Sequence, residues 1–158
     1  MKKWHFLLVT IGLLLIDRLT KILVSSNMDL YQEIPLIKNF FSLLYIRNDG
    51  AAFSLFEGHM WLFYLATLIA IIVISYLFKT SKSNYVNLVL AIILAGVLGN
   101  FIDRLLYQEV IDFFSFTFGT YKFAIFNMAD IYISIAVILY AIEILFLEKR
   151  AKNGNNHN

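Results

Sequence analysis

Four apolar runs, Trp4 to Val24, Met60 to Phe78, Tyr85 to Leu106 and Ile125 to Leu147, govern what this chain can become. Each approaches the roughly 20 residues that carry an α-helix across about 30 Å of hydrocarbon. In lipid, every backbone N–H and C=O must be satisfied within the segment, so such runs commit the chain to helices. Hydrophobic residues make up 60% of the 158 positions and charged residues 15%, too apolar for a water-soluble domain of this size. The expectation is a single integral membrane domain, residues 1–158, of the all-α class with four transmembrane helices. Lys2, Lys3, Val24 and Ser26 give the first run a superficial likeness to a cleaved leader. Asp17, Arg18 and Lys21 interrupt the approach to that cleavage site, so the run is expected to persist as a helix.

Loop charges set the orientation. Lys2 and Lys3 precede the first run, Lys79 and Lys82 lie between the second and third, and Lys149, Arg150 and Lys152 follow the fourth. The other two connections carry Asp29, Glu33, Asp49, Glu57, Glu109 and Asp112 against Lys38, Arg47 and Lys122. The positive-inside rule places both termini in the cytoplasm and the two longer connections outside. In the first connection, a β region of about 30–56, Phe41, Leu43 and Tyr45 alternate with their neighbours before the turn signal Asn48-Asp49-Gly50 and the segment Ala51 to Phe56. That pattern predicts a small β-hairpin. The second, an extracytoplasmic loop of about 107–124, gathers Phe113, Phe114, Phe116, Phe118, Tyr121 and Phe123 around Gly119, a composition suited to headgroup depth. The polar tail 153–158 is expected to be disordered.

Three helices place polar groups at one depth. Helix 1 stays apolar from Trp4 to Ile16, about 20 Å, before Asp17, Thr20 and Lys21 share a face. Helix 3 is apolar from Val86 to Gly99, about 21 Å, before Asn100, Asp103 and Arg104, with Gly96 one turn below. Helix 4 puts Asn127 and Asp130 in its first outer turn. Each has a simpler explanation: Asp17 with Lys21 as an i,i+4 pair, Arg104 as a snorkelling side chain, Asn127 with Asp130 as a helix cap, Asn48-Asp49-Gly50 as a bare turn. Capping does not require three helices to agree in depth, and charges within a bilayer are costly unless they face one another or water. Ala91, Ala95 and Gly99 form a small-residue stripe that lets another helix approach helix 3.

The residues narrow the chemistry. A net charge of +2 without a basic patch gives no reason to propose nucleic acid. Cysteine is absent, and of three histidines only His59 falls in an outer connection, which disfavours thiolate or histidine nucleophile systems and zinc. No glycine-rich phosphate loop is present. What remains is carboxylate chemistry: a water-activating aspartate pair, a hard-metal site, or a proton-coupled carrier. Asp17 has Lys21 nearby and Asp103 adjoins Arg104, whereas Asp112 and Asp130 have no cation close in sequence. They are the better candidates to share one proton, because like-charge repulsion keeps one of two facing carboxyls neutral. A carrier would string its acids along a path across the membrane, and these cluster near one leaflet.

Five segments, Asp17-Arg18-Leu19-Thr20-Lys21, Asn48-Asp49-Gly50-Ala51-Ala52-Phe53, Gly99-Asn100-Phe101-Ile102-Asp103-Arg104, Val110-Ile111-Asp112-Phe113 and Phe126-Asn127-Met128-Ala129-Asp130, occur in this order. Together they resemble the bacterial lipoprotein signal peptidases, signal peptidase II, over nearly the whole chain. The resemblance implies an aspartic endopeptidase of the cytoplasmic (inner) membrane, with no cofactor or metal, a small extracytoplasmic sheet and a mobile loop over the site. Its implied partners are membrane lipids and prolipoproteins bearing a diacylglyceryl cysteine, cut just before that cysteine, and the implied state is a monomer. It assigns the catalytic pair to Asp112 and Asp130, and substrate-binding or supporting roles to Asp17, Lys21, Asn48, Gly50, Gly96, Asn100, Asp103, Arg104 and Asn127. Arg104 and Asn100 are expected to brace the loop that carries Asp112, and Asn127 to orient Asp130. Arg18 stands where the family often has glutamine, which affects the local charge around Asp17.

Overall fold

The structure is a computed structural model that describes residues 2–50, 56 and 58–155, with side chains described as far as Phe146. Helix α1 spans Lys3–Asn27, α2 Met60–Thr80, α3 Asn84–Tyr107 and α4 Met128–Asn155. Strands β1 (Glu33–Ile37) and β2 (Phe41–Asn48) lie between α1 and α2, and β3 (Val110–Phe118) and β4 (Tyr121–Lys122) between α3 and α4. Among the described residues α2, α3 and the Met128–Phe146 part of α4 are long and apolar enough to cross a membrane. α1 matches them in length but carries Lys3, Asp17, Arg18 and Lys21. Its polarity is inverted relative to a water-soluble helix: Thr10, Asp17 and Lys21 are buried while Leu8, Ile11, Leu15, Leu19 and Leu23 are exposed.

α3 is the central helix and packs against the other three. Its start is fixed by Ser83, whose hydroxyl accepts the Val86 N–H, and its end by Gln108 in a left-handed conformation with its N–H on the Arg104 carbonyl. Close approach to α4 depends on glycine. A Cβ at Gly96 would fall 2.5 Å from the Ala129 carbonyl oxygen and one at Gly99 2.6 Å from Asp17 Oδ2. The small-residue stripe thus brings both α1 and α4 onto one side of α3.

The four strands form an antiparallel sheet in the order β1-β2-β3-β4. The second strand of the hairpin expected across Asn48-Asp49-Gly50, Ala51 to Phe56, falls largely outside the described residues. The neighbours of β2 are β1 and β3. The second connection is not an irregular loop, since Val110–Phe118 is a strand pairing Asp112 opposite Ile46. Alternation explains its phenylalanines. Phe113 points into a core with Val24, Met28, Tyr45 and Ile111, while Phe116 stacks on Phe41 and Phe126 of the opposite face. The C-terminal end of α1 is thereby bolted to the sheet. α4 continues to Asn155, so helix replaces disorder over the first three residues of the expected tail.

Candidate active site

Where α3, α4 and the sheet converge lies a cavity of about 500 Å³. Its polar wall comprises Asn48, Gly50, Asn100, Arg104, Asp112 and Asp130, and its apolar wall includes Phe123, Ile125, Phe126, Ile131, Ile133 and Ile135. Each carboxylate arrives by a separate device. Strand pairing of β2 with β3 fixes Asp112 near Asn48, whose side-chain amide donates to Asp112 Oδ2 at 2.9 Å. Asp130 stands in the first turn of α4 within a reciprocal cap. The Asn127 N–H donates to Asp130 Oδ2 at 3.1 Å, and Asn127 Oδ1 accepts the Asp130 N–H at 3.1 Å.

Asn127 also joins the two acids. Its Nδ2 donates to Asp112 Oδ1 at 2.6 Å and to Asn100 Oδ1 at 3.1 Å, while Asn100 Nδ2 donates to Asp130 Oδ1 at 2.7 Å. The helix-cap explanation of Asn127 and Asp130 therefore holds as local structure and does not exhaust their contacts. Burial pushes the Asp112 carboxyl up to about 7, with the nearby charge of Asp130 adding to the rise. The amides of Asn48 and Asn127 and the Lys21 charge pull in the opposite direction.

Beneath the cavity lies a fully buried ionic cluster. Lys21 Nζ is 2.9 Å from both Asp17 Oδ2 and Asp103 Oδ2, and it donates to Asn100 Oδ1 at 3.0 Å. Asp103 also pairs with Arg18. The cations of Asp103 thus come from α1 and not from its sequence neighbour Arg104. Arg104 instead sits over the Phe63 ring, 4.2 Å from its centroid, and donates through Nη2 to the Gly50 carbonyl at 3.1 Å. Among the described residues, the side-chain hydrogen bonds of Arg104 and Asn100 go to Gly50, Lys21, Asp130 and Asn127 and not to the segment carrying Asp112. That segment is held by Asp103, whose Oδ2 accepts the Ile111 N–H at 3.3 Å. Asp17 Oδ1 likewise accepts the Ala129 N–H at 3.0 Å. Gly96 lies against Ala129 and serves helix approach rather than the cavity wall. Backbone donors such as Ile111 and Ala129 leave no mark in residue type, and sequence reasoning missed them for that reason. Phe123 and Phe126 were visible as aromatics but not as cavity wall.

Comparison with known proteins identifies the family. The family model described as signal peptidase (SPase) II matches residues 9–146. The lipoprotein signal peptidase of Listeria monocytogenes serotype 4a is 43% identical over 150 residues, covering 94% of this chain and 97% of that protein. Those of Bacillus pumilus and Shouchella clausii are 40% and 44% identical, over 94% and 93% of this chain and 97% of each relative. A bacterial membrane enzyme solved by the in meso method at 2.3 Å superposes with a TM-score of 0.83 at 33% identity, covering 89% of this chain and 87% of that one. With its two carboxylates in one cavity and its relatives in one enzyme class, the chain belongs to the signal peptidase II family.

Proposed function

We propose that this protein removes the signal peptide from prolipoproteins as an aspartic endopeptidase, with Asp112 and Asp130 as the catalytic pair. The observation that carries the assignment is the pair itself: two carboxyls on one cavity, tied through Asn127, with Asp112 held up to about 7. Near neutral pH such a pair holds a single proton. The ionised carboxylate takes a proton from a water as its oxygen attacks the scissile carbonyl carbon, and the neutral carboxyl gives its proton to the carbonyl oxygen. Collapse of the tetrahedral intermediate breaks the C–N bond: the departing amine takes up the proton gained from water, and the carboxylate that protonated the carbonyl oxygen recovers its proton as the C=O re-forms.

The apolar lining of the site supports a lipidated substrate class. A diacylglyceryl group on the cysteine after the cut keeps its acyl chains in hydrocarbon while the peptide reaches the acids, and the isoleucine-rich wall supports this. In the working arrangement all four helices span the cytoplasmic membrane of a bacterium as a monomer. Both termini face the cytoplasm, and the site lies near the extracytoplasmic surface under the sheet and the 107–124 segment. The outward-facing leucines of α1 support its place as the fourth span. Asn48, Gly50 and Arg104 border the substrate path, and Gly96 lets α4 approach.

The test is cleavage of a diacylglyceryl prolipoprotein by the purified enzyme in detergent. Asp112→Asn and Asp130→Asn each abolish cutting while leaving the fold intact, and the unlipidated precursor is a poor substrate. Activity retained in either aspartate variant removes that residue from the catalytic pair.

A further inference from the structure

Both aspartates are addressed by side-chain amides, and an amide has two orientations that differ in what it offers. Turned by 180°, Asn100 would present oxygen to Asp130 and Asn127 would present oxygen to Asp112, acceptor against acceptor. During the reaction the protonation of the aspartates alternates, so they cannot dictate the amide orientation throughout. Lys21 can. Its ammonium is donor-only, fully buried, and directed at Asn100 Oδ1 at 3.0 Å. That contact leaves the Asn100 NH₂ facing Asp130. The same oxygen receives Asn127 Nδ2, which simultaneously donates to Asp112.

We infer that Lys21 is a positioning residue that fixes the hydrogen-bond polarity of Asn100, as the Asp130 backbone N–H fixes that of Asn127, so that both aspartates meet N–H donors at every stage of the cycle. The inference rests on the proposed assignment of Asp112 and Asp130. Two further contacts tie the cluster to the pair. The carboxylates flanking Lys21 hold the backbone N–H groups of Ala129 and Ile111, the residues immediately before Asp130 and Asp112. With Arg18 balancing Asp103, the cluster of two cations and two carboxylates carries no net charge, so it imposes orientation without flooding the cavity with positive potential.

The experiment compares Asp17→Asn with Asp17→Asn/Lys21→Met, and in the double variant the remaining Arg18 and Asp103 balance. Removing Lys21 is expected to lower kcat at least 30-fold with KM changed less than threefold. The basic limb of the pH–rate profile should move to higher pH, since the Lys21 charge acts against protonation of Asp112. In an Asn100→Ala background the same substitution should cost less than a further threefold, because its route is already cut. A role confined to stability would lower the melting temperature and the active fraction, with no shift of the pH profile. The inference is overturned by kcat within threefold of the Asp17→Asn reference, by an unmoved pH profile, or by multiplicative effects of Lys21→Met and Asn100→Ala. Asp17→Asn/Lys21→Gln, which restores neutral donors, is the alternative should the methionine variant not fold. Failure of both to fold also overturns it, by assigning Lys21 to assembly of the bundle. Asp112→Asn and Asp130→Asn run alongside: if they remain active, the catalytic assignment fails, whereas inert aspartate variants with active Lys21 variants refute this inference alone.

Discussion

Replacing Gly96 by alanine tests how tightly the packing of α3 on α4 holds Asp130. The added Cβ would lie 2.5 Å from the Ala129 carbonyl oxygen and 2.7 Å from Ile133 Cγ1. Isoleucine can turn away, but a backbone carbonyl cannot, so the first turn of α4 must retreat by about 0.9 Å to restore ordinary contact. Overpacking of this kind costs about 1–3 kcal/mol, and the higher helix propensity of alanine returns up to about 1 kcal/mol. Net stability therefore changes little. Asp130 follows Ala129 directly, so it shifts by a similar amount, and a displacement near 1 Å in a catalytic group costs up to about 100-fold in rate. The assay is kcat and KM on a lipidated prolipoprotein in detergent, with thermal unfolding in parallel. The expected outcome is a 10- to 100-fold fall in kcat with a modest change in melting temperature. Gly12→Ala is the control, because nothing lies within 4 Å of its Cβ position. A Gly96→Ala enzyme with normal melting and kcat within twofold of the wild type would refute the idea that this contact sets the position of Asp130.

Four further outcomes follow from the geometry. Activity should fall as pH rises through about 7, where Asp112 loses its proton and the pair carries two charges; an activity plateau reaching pH 9 would contradict this. The same raised carboxyl stabilises the fold fully below its ordinary value of 3.8, and that contribution is lost as pH rises through about 7. Asp112→Asn should therefore gain on the wild type in melting temperature between pH 5 and pH 8. Asn48→Ala removes the 2.9 Å donor to Asp112 and should lower kcat by about 10- to 100-fold, moving the basic limb upward; an unchanged limb would show that this bond does not act on the titrating group. Dialysis against EDTA should leave turnover unchanged, because every oxygen of the two carboxylates already accepts an N–H from Asn48, Asn100 or Asn127. A loss restored by Mg²⁺ would turn the chemistry toward metal assistance.

The apolar runs and the polar faces that follow them were legible because both are local properties. The thirteen residues Trp4 to Ile16, none of them Asp, Glu, Lys or Arg, count out a length of helix before Asp17 without reference to any partner. Strand partners were not legible. β1 is exposed at every residue, and β2 pairs with a strand lying beyond α2 and α3, so neither leaves a short-range signature. The phenylalanines of β3 concealed their period because both faces of the strand carry aromatics: Phe113 on one, Phe114 and Phe116 on the other. Charge partners misled for a related reason. Asp103 and Arg104 adjoin in sequence, but consecutive helical residues point about 100° apart, and the cations that reach Asp103 are Arg18 and Lys21 of α1.

The arrangement of donors around the proposed catalytic pair suits it to work at neutral pH. Asp112 Oδ1 and Oδ2 accept from Asn127 and Asn48, and Asp130 Oδ1 and Oδ2 accept from the Asn100 amide and the Asn127 N–H. All four donors are neutral. A cation in direct contact would hold both carboxylates ionised and leave no acid to protonate the carbonyl oxygen. The cations are set one layer back: Lys21 reaches the pair through Asn100, and Arg104 is engaged with the Gly50 carbonyl. Neutral amides stabilise whichever carboxylate is charged without forbidding it a proton. A site that must exchange one proton between two acids within an apolar surround needs donors of that kind, and three asparagines from β2, α3 and the start of α4 supply them.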